Sequence, residues 1–135
     1  MTRWLRERGR APTADELSQA LGLMATHAER AERQTAHVDV VLTPTLAALP
    51  ALVGSIRDDA DPAADFAAQK RFTPYTSPYN MTGQPAVSLP LHWTVDGRPI
   101  GVQLVARPMH EATLLALAAQ LERARPWAHR HPEVW

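Results

Sequence analysis

Cysteine is absent from this chain of 135 residues, and its 14 basic and 14 acidic side chains cancel. The missing cysteines exclude a disulfide scaffold and thiolate metal sites. The missing net charge leaves no overall field that would attract nucleic acid or an acidic membrane surface. The composition is typical of an ordinary globular chain, which we expect to be cytoplasmic and to bind no nucleic acid.

Long apolar runs are also missing. The first residues lack the apolar stretch of a signal peptide, and no segment is long enough to span a bilayer, so we expect no membrane partner. The chain has a single lysine, Lys70, and it contains no Gly-Gly-Ser-Ser-Gly run and no Gly-x-Ser-x-Gly motif. Lys70 stands between Gln69 and Arg71, a setting typical of a surface lysine and not of the buried base of a serine nucleophile.

Histidine and acidic side chains are present without the spacing of a metal site. His129 and His131 are separated by one residue in an irregular tail, and no His-Glu-x-x-His motif occurs. The acidic cluster over residues 58–65 lacks the glycine and the terminal glutamate of a calcium loop. We therefore expect no metal site.

The first 37 residues have a helical pattern. Thr13 and Glu16 have the spacing of a capping box, and apolar residues recur behind them at helical intervals. Gly22 is predicted to interrupt or divide this helix. A division at Gly22 would make residues 13–33 a helix-turn-helix, which is the alternative function: a non-catalytic interaction module that binds DNA. The absence of a basic patch elsewhere argues against that alternative.

Residues 38–135 alternate between strand and helix patterns, which indicates an α/β fold. The dipeptide Asp96-Gly97 is typical of a hairpin turn. In chain order the patterns predict a strand over Val38–Leu42, an irregular excursion over 44–62, a short helix over Asp61–Gln69, a hairpin of Ala86–Thr94 with Ile100–Ala106, and a closing helix over Glu111–Arg123.

A loop over Phe72–Asn80 carries the strongest functional pattern. Aromatic and hydroxyl side chains alternate there between prolines, and the loop leads into Gln84. A stiff loop of this kind can present an apolar wall with a few fixed polar groups, as a small-molecule pocket requires. We therefore take Thr73, Asn80 and Gln84 as candidate substrate-binding residues. The alternative is that these side chains only satisfy backbone groups of the loop.

Two stretches carry a family resemblance. Asn80–Pro90 sets a turn and a proline directly against an apolar strand, and Asp96–Leu104 completes a second strand after a tight turn. Together they resemble the C-terminal end of the amidase signature family, enzymes that hydrolyse carboxamides. The resemblance extends over about residues 10–135 and is strongest over 39–45 and 72–127.

The resemblance implies a partial mixed β-sheet with flanking helices, forming the C-terminal segment of a larger amidase domain. It implies a parent enzyme that forms a serine acyl-enzyme through a Ser–Ser–Lys set and releases a carboxylic acid and ammonia or an amine, without a cofactor. That set has no counterpart in these residues. The chain is therefore expected to supply sheet strands and a pocket wall, to contribute no catalytic residue, and to be inactive alone. Its expected partners are a small-molecule amide in the complete enzyme, and a second copy or the missing N-terminal portion.

Overall fold

The computed structural model describes residues 1–131, so the last four residues of the predicted segment 38–135 lie outside the described part. The chain contains both helices and strands, and the predicted α/β class is confirmed. The elements are α1 Thr2–Arg8, α2 Ala14–Thr35, β1 Val40–Pro44, α3 Pro62–Phe72, α4 Ser77–Thr82, β2 Ala86–Trp93, β3 Pro99–Ala106 and α5 Glu111–Ala124.

The predicted capping box starts α2. The Thr13 hydroxyl oxygen accepts a hydrogen bond from the Glu16 backbone N–H at 3.3 Å, and a Glu16 carboxylate oxygen accepts one from the Thr13 backbone N–H at 2.8 Å. Two hydrogen bonds from Thr13 favour the ionised carboxylate and lower the pKa of Glu16. The bond from the backbone N–H has the larger effect, and the bond from the hydroxyl has the smaller one. Both ends of the box therefore use N–H groups that the first helical turn would leave unpaired.

The predicted interruption at Gly22 is wrong. Helix α2 runs without a break from Ala14 to Thr35, and the Thr26 hydroxyl donates to the Gly22 carbonyl at 3.0 Å, one helical turn away. A glycine inside a helix costs about 1 kcal/mol relative to alanine, which a long capped helix can absorb. One continuous helix contains no turn, so the helix-turn-helix predicted over residues 13–33 is wrong as well.

The three strands form a sheet in the order β1-β3-β2, with both pairings antiparallel. The central strand is β3, and β1 and β2 lie at the edges of the described sheet. The first strand begins at Val40 and continues to Pro44 instead of covering Val38–Leu42. The parallel pairing implied by a mixed sheet does not occur among residues 1–131.

Helix α5 covers one face of the sheet at β2 and β3. Leu104 on β3 and Leu114 on α5 are 2 % and 3 % exposed, and Leu89 and Ala106 complete the buried cluster. The broad apolar stripe predicted for the closing helix is the face that packs here. The apolar core therefore lies between α5 and the sheet.

The predicted loop over Phe72–Asn80 is largely helical. Helix α3 continues to Phe72, and α4 begins at Ser77 with a proline in its first turn. Gly83, with φ of 72°, ends α4 in the left-handed conformation that glycine adopts at helix C-termini. Only residues 73–76 of the predicted loop remain irregular.

Candidate functional site

The sheet face opposite α5 carries a row of three polar side chains, next to the buried Val105. Thr43 on β1, Gln103 on β3 and Ser88 on β2 lie in register across the sheet. Side chains alternate between the two faces of a strand, so these three lie on the opposite face from Leu104. This polar sheet face is the surface on which the candidate site is built.

Gln103 is 4 % exposed and anchors the polar sheet face. Its Nε2 donates to the Thr43 hydroxyl at 3.0 Å and to the Tyr75 backbone carbonyl at 2.9 Å. Both amide hydrogens are therefore used, as a buried amide requires. A second hydrogen bond lies nearby: the Ala47 N–H donates to the Phe72 carbonyl at 3.1 Å. The Gln103 bond thus holds Tyr75 against the sheet, and the Ala47 bond holds the end of α3 against the segment that follows β1.

A pair of hydroxyls meets on the same face. The Oγ1 of Thr45 and the Oγ of Ser88 are 2.6 Å apart and share a hydrogen bond. Gly101 lies between them on the central strand: a Cβ at this position would lie 2.7 Å from the Thr45 Oγ1 and 2.8 Å from the Ser88 Oγ. Only a residue without a side chain allows the two hydroxyls to meet across β3.

A cavity of about 540 Å³ opens beside this hydroxyl pair. Its volume is within the range of small-molecule sites, about 300–1,000 Å³. The wall is mostly apolar, and the Thr45 and Ser88 hydroxyls contribute polar groups to it. The lining residues are Thr45, Leu46, Ala47, Ala48, Leu49, Pro50, Ser88, Pro90, Pro99, Ile100 and Gly101.

The three predicted substrate-binding residues lie at three different elements: Thr73 follows α3, Asn80 is on α4 and Gln84 precedes β2. The Thr73 N–H and hydroxyl both donate to the Gln69 carbonyl at 3.0 Å, at the end of α3. Gln84 is 7 % exposed, and its Nε2 donates to the Ala106 carbonyl at 3.2 Å, at the far end of β3 from the cavity. Asn80 is exposed on α4. None of the three lines the cavity beside Gly101.

Sequence reasoning missed the hydroxyl pair and the buried Gln103. The available signal was the pattern Gly101-Val102-Gln103, a glycine and an amide alternating along a strand whose other face is apolar. Glycine inside a strand often marks a close approach of other groups. The partners Thr45 and Ser88, however, lie 43 positions apart, beyond the reach of any local pattern.

The cavity can bind and orient a small molecule, but the described residues that line it include no lysine, histidine or acidic side chain that could activate a hydroxyl. Lys70 is exposed, with its ammonium 5.0 Å from the Phe66 ring centroid. Carboxyl groups with a lowered pKa lie elsewhere. In the hairpin turn the pKa of Asp96 is lowered, mainly by a hydrogen bond from the Thr94 hydroxyl and to a smaller extent by one from Arg98.

Within residues 1–131, no three histidine or acidic side chains are grouped closely enough to hold a metal ion. The same part of the chain includes no helix with the length and apolar character needed to cross a membrane.

Known proteins resemble this chain in sequence and in structure. A family model described as Amidase matches residues 1–115. AmiB2 of Mycobacterium tuberculosis, named as an amidase, is 50 % identical over 97 residues, which are 72 % of this chain and 21 % of AmiB2. The 6-aminohexanoate-cyclic-dimer hydrolase of Paenarthrobacter ureafaciens is 53 % identical over 60 residues, 44 % of this chain and 12 % of the hydrolase.

A solved structure of 6-aminohexanoate cyclic dimer hydrolase superposes with a TM-score of 0.86 at 32 % identity. The superposition covers 94 % of this chain and 28 % of the hydrolase chain. The chain thus spans about a quarter of the length of that solved relative and about a fifth of AmiB2. The match over most of the described fold, together with the family model, establishes that this chain belongs to the amidase signature family.

Proposed function

We propose that this chain supplies sheet strands and a substrate-pocket wall to an amide hydrolase. The nucleophile and the base of that enzyme lie in polypeptide outside these 135 residues. The complete enzyme would hydrolyse a carboxamide to a carboxylic acid and ammonia or an amine through a serine acyl-enzyme. One observation carries this proposal: the chain belongs to the family but matches only about a quarter of the length of a solved relative.

The polar sheet face supports a role in binding. Its buried amide has both donors satisfied, and its hydroxyl pair borders a cavity of small-molecule size. A site assembled in this way needs little reordering when a ligand enters, which keeps the cost of binding low. The mostly apolar wall suits an amide with a hydrocarbon chain. Relatives of this chain are named as hydrolases of the cyclic 6-aminohexanoate dimer.

We propose that the chain has two parts with different roles. Residues 1–37 form a helical arm, and residues 38–135 form the strand, hairpin and closing-helix part that carries the pocket wall. The partner is the N-terminal portion of an amidase or, as the other possibility, a second copy of this chain. The isolated chain is proposed to be inactive, because the Ser–Ser–Lys segment has no counterpart in its sequence.

A chimera tests the proposal. The segment of the Paenarthrobacter hydrolase that matches this chain is replaced by residues 1–135, and release of 6-aminohexanoate from the cyclic dimer is measured. We expect turnover by the chimera and none by the isolated chain or by the hydrolase lacking the segment. A chimera that folds yet hydrolyses neither the cyclic dimer nor short aliphatic amides would refute the function. Turnover by the isolated chain that is lost on replacing Ser88 would refute the assigned role.

Thr73, Asn80 and Gln84 remain proposed substrate contacts, at a place separate from the cavity beside Gly101. Asn80→Ala in the active chimera should therefore lower kcat/KM about fivefold, since losing one hydrogen bond to substrate costs about 1 kcal/mol. The melting temperature should not change, because Asn80 is exposed on α4. Thr73→Ala should also lower kcat/KM, while Thr73→Ser, which keeps the hydroxyl, should restore it. Gln120→Ala, at an exposed position of α5, is the control. If Asn80→Ala and Thr73→Ala lower the melting temperature and leave kcat/KM unchanged, both residues belong to the scaffold.

A further inference from the structure

A second cavity opens at the hairpin end of the sheet, next to the turn that joins β2 and β3. Its volume is about 460 Å³, which is also within the range of small-molecule sites, about 300–1,000 Å³. Pro99 borders both this cavity and the one beside Gly101, so the two cavities are neighbours. The second cavity differs in having charged side chains in its wall, and we call it the arginine cavity. The lining residues are Trp93, Gly97, Arg98, Pro99, Arg130 and His131.

The apolar part of the arginine cavity comes from two paired strands. Trp93 on β2 and Pro99 on β3 stand opposite each other in the sheet register. Trp93 is half-buried, and its indole ring gives the wall a flat apolar surface. A hydrocarbon or aromatic group in the cavity would therefore cover apolar surface and remove it from water.

Arg130 is brought to Trp93 by the segment that follows α5. The Arg125 guanidinium donates to the Leu91 carbonyl at 3.2 Å, and the Arg130 N–H donates to the Trp127 carbonyl at 2.8 Å in a turn. The guanidinium carbon of Arg130 lies over the Trp93 ring, 4.9 Å from its centroid. This cation–π contact holds the charge at the cavity without using the N–H groups of the guanidinium.

Arg98 supplies the second guanidinium of the arginine cavity. Its Nη2 lies 2.8 Å from the Asp96 carboxylate in the hairpin turn, and 45 % of its side chain is exposed. The ion pair orients Arg98 and leaves other N–H groups of its guanidinium for a ligand. Among residues 1–131, no carboxylate forms an ion pair with Arg130. Two guanidiniums therefore stand against one carboxylate, which leaves a surplus of one positive charge.

We propose that the arginine cavity binds a small organic carboxylate, with the carboxylate held by Arg98 and Arg130 and the apolar body against Trp93. This inference goes beyond the proposed function and does not depend on it. The forked N–H groups of arginine match the two oxygens of a carboxylate, and hydrogen bonds between charged partners are the strong ones. The surplus of one positive charge suits a monoanion better than a dianion such as phosphate.

Titration of the 135-residue chain with benzoate tests the proposal, with the NMR signal of the Trp93 indole as the report on this cavity. Benzoate is a monoanion with an apolar ring, benzyl alcohol is a neutral analogue of similar shape, and inorganic phosphate has no apolar body. We expect benzoate to shift the signal until it saturates. Benzoate should bind about tenfold more tightly than benzyl alcohol, the effect of one charge-assisted hydrogen bond, and more tightly than phosphate.

Arg130→Gln removes the positive charge from the cavity and should weaken benzoate binding about tenfold. The melting temperature should not change, because Arg130 is exposed. Arg130→Lys keeps the charge without the forked N–H groups and should lose part of the affinity. Arg123→Gln is the matched control, since it removes the same charge from an exposed position of α5 outside the cavity. Ser88→Ala, in the cavity beside Gly101, should also leave benzoate binding unchanged.

Several outcomes would overturn the inference. An unsaturated or absent shift of the Trp93 signal would show that no site exists, and equal binding of benzoate and benzyl alcohol would show apolar contact alone. Tighter binding of phosphate would assign the cavity to another class of anion. Equal losses from Arg130→Gln and Arg123→Gln would assign the effect to overall charge, and a loss confined to Ser88→Ala would place benzoate beside Gly101. None of these results bears on amide hydrolysis, so the two proposals can fail separately.

Discussion

Leu104→Ala is expected to lower the free energy of unfolding of this chain by about 2–5 kcal/mol. Leu104 lies on the central strand and is 2 % exposed, packed in the cluster with Leu89, Ala106 and Leu114. Truncation removes buried apolar surface and leaves a cavity, because neighbours on the sheet and α5 can relax only in part. Chemical denaturation monitored by circular dichroism measures the change.

Leu115→Ala is the matched control for Leu104→Ala. Leu115 also belongs to the α5 side of the molecule but is 69 % exposed, so its truncation should change stability by less than about 0.5 kcal/mol. If the two variants lose similar stability, the apolar core does not lie between α5 and the sheet as described.

Gly101→Ala is expected to destabilise the chain by about 1–3 kcal/mol, the cost of overpacking a close contact. The new Cβ would lie within 2.8 Å of both hydroxyl oxygens of the Thr45 and Ser88 pair, and 3.1 Å from the Thr45 Cβ. At least one hydroxyl must rotate away, which breaks the 2.6 Å hydrogen bond between them. Denaturant titration would report the loss, and ligand binding in the adjoining cavity should weaken with it.

Gly22→Ala is the control with the opposite expected sign. Gly22 lies inside α2, and a Cβ there would meet nothing within 4 Å, so alanine should stabilise the chain by about 1 kcal/mol.

The cost of Gly101→Ala should also shrink in a Ser88→Ala background, because one of the clashing oxygens is then missing. An equal cost in both backgrounds would show that the hydroxyl pair is not the source of the constraint.

Much of the architecture follows from local patterns. The capping box of Thr13 and Glu16, the hairpin turn at Asp96-Gly97 and the apolar stripe of α5 all occur in the structure. Each depends on residues a few positions apart, and such interactions act in nearly any context. The prediction failed where local signals compete, at Gly22 and over Phe72–Asn80. A glycine or a proline only biases the backbone, and the neighbouring helical residues outweighed that bias.

The sequence by itself determined the helical arm, the hairpin, the closing helix and the family of this protein. It also showed that the chain has a single lysine and no Gly-Gly-Ser-Ser-Gly run. Only the tertiary structure decided that Thr45 and Ser88 meet over Gly101, that Gln103 is buried against Tyr75, and that β3 is the central strand. These features join residues from distant parts of the chain, and their proximity depends on strand register, which is set by the packing of the whole sheet.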